Sequence, residues 1–130
     1  MITIALLKFL EDNNIGEIDK TLFWQNLDMN VDSPVLYVAN IGQAQQRGSR
    51  RVQRYEVYAR AKSKLASLQL LESVITLINN SYSVCELPAV EQYDVPAYGN
   101  ITLMPLSTPT RVGEDANGRI IWSASGNIIY

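Results

Sequence analysis

The most constraining feature of the chain is a change of hydrophobic period at residues 61–63. From Val52 to Ala61 the sequence alternates, with Tyr55, Val57, Ala59 and Ala61 on one side and Arg54, Glu56, Tyr58 and Arg60 on the other. That is the period of a strand with one buried and one wetter face. From Ser63 to Asn79 the period becomes helical. Leu65, Leu68, Leu71, Ile75 and Ile78 line one face, and Leu70, Val74 and Leu77 widen it. Each large side chain buried stabilises by roughly 1.5–3 kcal/mol, so this helix is expected to lie across the sheet that the strand joins. Ser63 is placed to cap its start, and Asn79-Asn80 to end it.

The other elements arrange themselves around that pair. Ile2–Asn14 has helical spacing at Ile2, Ala5, Leu6, Phe9 and Leu10, with Gly16 as a C-cap. Short strands are expected at Ile18–Asn26, Pro34–Ala39, Tyr82–Leu87, Ile101–Leu106 and Arg119–Ser125. Pro34 opens its strand, where proline is tolerated, and Pro105 marks an edge or a bulge. Gly126-Asn127 reads as a turn before Ile128-Ile129-Tyr130, and Asp28–Pro34 as a loop. Mobile loops are expected near residues 43–51, 88–99 and 107–117. The order helix, strands, helix, strands, with hairpin connections, predicts one α+β domain over residues 1–130. Its sheet is mainly antiparallel or mixed, of about five to six strands, with two helices on one face.

A chain of 130 residues can build a core without disulfides or metals. Charged residues are 18% of it, below the usual ~25%, which leans toward a life in contact with other proteins. Eleven basic and thirteen acidic residues give a net charge of −2, so nothing global favours nucleic acid or membrane. No apolar run approaches the ~20 residues of a membrane span. The start, Met1-Ile2-Thr3-Ile4-Ala5-Leu6-Leu7-Lys8, lacks the basic region of a signal peptide, and a cytoplasmic folding environment is expected.

Chemistry is sparse. There is no histidine and one cysteine, Cys85, which removes His-assisted nucleophiles and the usual zinc sites. Cys85 reads as a buried, inert thiol. Gly113-Glu114-Asp115-Ala116-Asn117-Gly118 lacks the order of a calcium loop and reads as a turn with solvated carboxylates. Glu11, Asp12, Glu17 and Asp19 form an acidic group that reads first as solvated charge. Arg47, Arg50, Arg51 and Arg54 form a basic stretch. Three readings compete for it: a solvated tip, contact with an acidic surface of another subunit or partner, and contact with a nucleic-acid backbone. No aromatic residue accompanies it to stack a base. Tyr58 and Arg60 share a strand face with Arg54, and both residue types are enriched at protein interfaces.

Four segments carry a resemblance to a known family. They are Ile2–Leu7 followed by Gly16 and Phe23-Trp24; Pro34–Val38 before a polar glycine-bearing loop; Gln53–Lys62 running into the long helix; and Gly113–Ala124, an acidic glycine turn with an Arg-rooted strand. In this order the chain resembles the tail terminator proteins of long-tailed bacteriophages, often described as minor capsid or minor tail proteins. The resemblance implies helices packed on a mixed sheet. It implies a homo-hexameric ring on the finished tail tube that stops growth and presents a head-joining surface. Its partners would be copies of itself, the tail tube protein and a head-completion or neck protein, in a virion assembled in the host cytoplasm. The stretch before Val52 would serve ring contacts or the lumen through which DNA passes. It implies no catalytic residue and no cofactor. Related folds occur in neck and tube proteins, and a small nucleic-acid or peptide-binding module is the alternative. An enzyme using carboxylates and tyrosine is the third reading.

Overall fold

A computed structural model describes residues 1–25 and 32–130. In chain order the elements are α1 (Ile2–Asp12), β1 (Leu22–Trp24), β2 (Val35–Arg47), β3 (Arg50–Ala61), α2 (Lys64–Asn79), β4 (Glu86–Leu87), β5 (Tyr98–Gly99), β6 (Thr102–Leu103), β7 (Thr110–Glu114) and β8 (Ile120–Ile129). The main sheet has six strands in the order β1-β2-β3-β8, with β6 and β7 sharing the far edge of β8. Only β1–β2 is parallel; the other pairs are antiparallel. β4 and β5 form a separate two-stranded ribbon. This is the expected α+β fold.

The alternation in β3 sets the layers. Tyr55, Val57 and Ala59 are buried, opposite Val38 and Leu36 on β2 and Ala124 on β8. α1 covers β1 and β2, and α2 covers β3 and β8, both on this face. Ser63 caps α2, its hydroxyl accepting from the Ala66 N–H at 3.2 Å. The buried stripe of α2 is narrower than its sequence suggests. Ser67, Leu71, Val74 and Ile78 face inward, whereas Leu65 is 63% exposed.

Several local expectations are corrected. Asn14, not Gly16, takes the left-handed position after α1 (φ 63°). The Ile15 N–H bonds the Leu10 carbonyl and the Asn14 N–H that of Glu11, closing a Schellman motif that asparagine tolerates. Gly16 is needed for space, because a Cβ there would lie 2.6 Å from Thr21 Oγ1. The strand expected over 18–26 shrinks to Leu22–Trp24 because Asp19 turns left-handed (φ 67°). Asn26 and most of the loop expected at 28–34 lie outside the described residues. The loop expected at 43–51 is a hairpin of β2 and β3, interrupted by a bulge before Gln45 and turning at Gly48-Ser49. The loop at 107–117 contains β7. The strand at 82–87 is regular only at Glu86-Leu87, since a turn from Val84 N–H to Ser81 O prolongs the helix exit, and Cys85 is exposed rather than buried. Beyond Thr102-Leu103, Pro105 interrupts the expected strand, although the N–H groups of Met104 and Ser107 still reach the carbonyls of Asn127 and Ser125.

Gly126-Asn127 is not a turn. β8 runs straight through it to Ile129, and Gly126 lies opposite Tyr55. A Cβ at 126 would meet Leu106 Cδ2 at 2.7 Å and the Tyr55 hydroxyl at 3.1 Å. The glycine therefore makes room for a buried tyrosine rather than bending the chain. Gly126→Val is expected to destabilise the fold by about 1–3 kcal/mol through overpacking, read by urea denaturation. A wild-type midpoint would contradict this account of the contact.

The outer face of the sheet is not wet throughout. Arg60 and Arg119 are each 1% exposed. Arg119 Nε lies 2.8 Å from Asp115 Oδ2, Arg60 reaches the same oxygen at 3.7 Å, and Arg119 reaches Asp32 at 3.6 Å. Asp115 Oδ1 also accepts the N–H groups of Asn117 and Arg119, both at 3.0 Å. Burial works against the Asp115 charge, yet these amides and the Arg119 guanidinium outweigh it and hold its pKa below the ordinary value. A carboxylate with a lowered folded pKa contributes stability above its unfolded pKa and loses it as pH falls through the folded one. Asp115→Asn is therefore expected to be less stable at neutral pH and to show a flatter loss of stability below about pH 5, measured by thermal melts from pH 7 to 3.

Candidate functional site

Arg47, Arg50 and Arg51 sit on a β-arm, and Arg54 lies just before it, paired with Ile41 and Asn127 in the body of the sheet. A register shift between Ile41 and Gln45, with Gly42 at φ 67°, bends β2 as it leaves the core. Beyond it Gln45 pairs with Val52, Gln46 with Arg51 and Arg47 with Arg50. The two-residue loop has positive φ at Gly48 alone, the requirement of a type II′ hairpin turn. The arm's root is tied to the end of β8. The Arg51 and Tyr130 backbones exchange hydrogen bonds of 2.6 and 2.8 Å, and the Arg50 side chain donates to the carbonyls of Asn100 and, at 3.3 Å, Ile129. Arg47, Arg51 and Arg54 are exposed. Among the described residues none of the four arginines makes an ion pair. Arg47 and Arg54 flank a groove of about 490 Å³ floored by Ile41, Val52 and Ile129.

Glu17 and Asp19 lie toward the other end of the sheet, around Ile18, which bridges Leu22 beside Leu36. β1 begins beside Leu36, and the stretch of β2 from Leu36 to Arg47 runs roughly 35 Å at about 3.3 Å per residue. Glu11 fastens α1 to the approach to β1, accepting from Lys8 Nζ at 2.8 Å and the Ile18 N–H at 2.7 Å. Lys8 first, and the Ile18 amide second, hold its carboxyl below the usual range. Asp12 is 3.4 Å from Lys8, and Glu17 is 3.0 Å from Lys20. Asp19 accepts from the Tyr93 hydroxyl and, at 3.4 Å, from Gln92 Nε2. The Asp19 hydrogen bond pushes the Tyr93 pKa upward, so its hydroxyl stays a donor. The fold adds carboxylates that sequence order kept apart. Asp12 shares a depression with Glu86, and Lys8 shares one with Glu91. Residues 8–20 and 86–94 together carry seven acidic and two basic groups, whereas residues 41–54 carry four arginines and no acid. The acidic surface runs from the approach to β1 to the root of the arm, since Glu86 pairs with Gly99, the neighbour of the Asn100 whose carbonyl accepts from Arg50.

Tyr58 and Arg60 do not join the arm. Tyr58 stacks on Tyr37, centroids 4.4 Å apart and rings 7° from parallel, with its hydroxyl bonded to Glu56. Arg60 belongs to the buried Asp115 cluster. Sequence reading missed that cluster, although the spacing Asp115-x-Asn117-Gly118-Arg119, an Asx turn with a cation four residues after the aspartate, is a signal for it. Among the described residues no group of three or more Cys, Asp or Glu is placed to hold a metal, and no helix is long and apolar enough to cross a membrane.

Residues 9–130 match the model of a family described as bacteriophage tail terminator protein. The chain belongs to that family. The match takes in every element except the first two turns of α1, and so includes the arm, the Asp115 cluster and the acidic end. No curated protein matches the sequence. As a tail terminator the chain is a structural component of the virion, working by contact with other phage tail and head proteins. In this terminator, Arg50→Ala is expected to speed amide hydrogen exchange across residues 43–52 several-fold while moving the melting temperature little, because the side chain ties the arm to β8 and touches no core residue. Unchanged exchange would mean the backbone ladder alone holds the arm.

Proposed function

We propose that this terminator works as a ring of identical copies, six in number, seated on the finished tail tube. There it ends growth and presents the surface to which the head joins. The observation that supports this reading is the separation of charge along the sheet. Among the described residues the arginines of the arm and Arg54 beside it make no ion pair, and Glu17 and Asp19 lie toward the opposite end of β2, around Ile18, which bridges Leu22 beside Leu36. A ring needs two different, complementary patches on each subunit, because a heterologous contact closes by rotation. Complementary charge also steers and orients the encounter. Arg47, Arg50, Arg51 and Arg54 form one patch; Glu11, Asp12, Glu17 and Asp19, joined by Glu91, form the other. The tail tube protein meets one surface of the ring and a head-completion or neck protein the other, at the head-proximal end of the tail, assembled in the host cytoplasm. The outer sheet face, with Tyr58 and the groove beside Arg54, is left for these partners or for DNA in the lumen.

The test is mass determination in solution across protein concentration, with and without purified tail tubes, followed by electron microscopy of large species. Wild-type protein is expected to give six-copy rings that cap tubes, and tubes assembled without it to overgrow. The double variant Arg47→Glu/Arg51→Glu is expected to weaken assembly at least about tenfold, as reversed charge at a patch does, with an unchanged melting temperature. Rings that form equally well from this variant would remove the arm from the subunit contact. Retardation of DNA by the wild type that vanishes in it would assign the arm to the lumen.

A further inference from the structure

A pocket of about 250 Å³ opens between α1 and β1. Its walls are Ile4 and Leu7 of α1 and Phe23 and Trp24 of β1, with Asp19 and Tyr93 beside them. Asp19 and Tyr93 are exposed and form its rim, Tyr93 by 42%. The indole is fixed before anything binds. Trp24 Nε1 donates to Thr3 Oγ1 at 2.9 Å, and that hydroxyl donates to Asn40 Oδ1 at 2.8 Å. Asp19 is held in the left-handed backbone region, with its N–H bonded to the Leu22 carbonyl at 2.9 Å. Its carboxylate accepts only from neutral donors, Tyr93 and Gln92, and among the described residues it has no ion pair. The Tyr93 hydroxyl lies 2.5 Å from both carboxylate oxygens and Gln92 reaches Oδ2; an ionised carboxylate offers about four acceptor sites, so Oδ1 keeps one outer site for a further donor.

We infer that this pocket receives the side chain of Arg47 from a neighbouring copy of the chain. This deepens the ring reading and rests on it. Two independent features of the pocket select a guanidinium. An aromatic wall attracts a cation over its ring face, most strongly for tryptophan. A carboxylate without an ion pair at the mouth attracts a cation, while the apolar walls take the weakly hydrated guanidinium better than an ammonium. Arg47 is the arginine that suits it. It stands beside the arm's turn and is exposed. Arg50 is tied to two carbonyls and Arg51 contacts Gln46 at 3.4 Å. Arm and pocket lie at opposite ends of the sheet, so one copy cannot fill its own pocket, and the contact passes from each subunit to the next.

The experiment is a double-mutant cycle on assembly of the full chain. The variants are Asp19→Asn, which keeps the left-handed backbone and removes the charge, Arg47→Ala, and the two combined. Each single change is expected to raise the concentration for half-assembly about tenfold, with the melting temperature unchanged. The double variant is expected to be no worse than either single, since both remove one contact. Trp24→Leu is expected to raise the same concentration without adding to Arg47→Ala. Wild-type-like assembly of Asp19→Asn, or additive effects of the two singles, would overturn the contact while leaving the ring intact. A wild-type chain that stays monomeric at all concentrations and on tube ends would overturn the ring reading, and this contact with it.

Discussion

Strand β3 is hydrogen-bonded along nearly its whole length on both sides, to β2 from Arg50 to Arg60 and to β8 from Val52 to Ala61. A strand paired this way has little freedom of register. A slip by one residue would carry Tyr55, Val57 and Ala59 to the outer face and bring Arg54, Glu56 and Tyr58 under the helices. The fold therefore depends on this one strand's alternation. α2 begins three residues after β3 ends and lies back over it, and α1 fills the remaining face over β1 and β2. The same strand then leaves the core at its other end and becomes half of the arm. Core and contact surface are two stretches of one ladder, so the rigidity of the first is passed to the second.

The outer face near the start of β8 is organised by charge instead of apolar packing. Two buried guanidiniums converge on one carboxylate, whose other oxygen is occupied by backbone amides of the turn. Low local dielectric strengthens such a network when it is satisfied and penalises it when a member is lost. This cluster fixes β7 and the start of β8 against β3. The arm's arginines are the opposite case. Among the described residues they make no ion pair, and Arg47, Arg51 and Arg54 lie exposed to another molecule.

Much of the fold is legible in the sequence because period and capping are local signals. The β3 alternation, the α2 stripe and the Ser63 cap all follow from residues adjacent in the chain. What was not legible depends on distant partners. Residues 43–51 carry no apolar alternation, because both faces of the arm are polar; only the cross-strand ladder makes them strands. Gly126 reads as a turn until Tyr55 is placed opposite it. Arg60 alternates correctly onto the outer face, yet it is buried because residues around Asp115 fold over that face. The acidic and basic stretches themselves were visible as local charge. The sequence could not show that Glu91 comes beside Lys8, or that Asp19 meets Trp24 and Tyr93 at a pocket, since those contacts cross long loops.

The arm's polarity on both sides has a consequence for timing. An apolar edge of that length would seek partners as soon as it left the ribosome, and strands of that kind are aggregation sites. A polar hairpin carrying like charges repels its equals in free solution. Its attraction to an acidic surface fades beyond about 8 Å at physiological salt. Two freely diffusing copies thus recognise each other only at close range and in one orientation, whereas copies already gathered on a common platform are held within that range. The geometry lets folding run to completion first and leaves the moment of association to whatever brings the copies together.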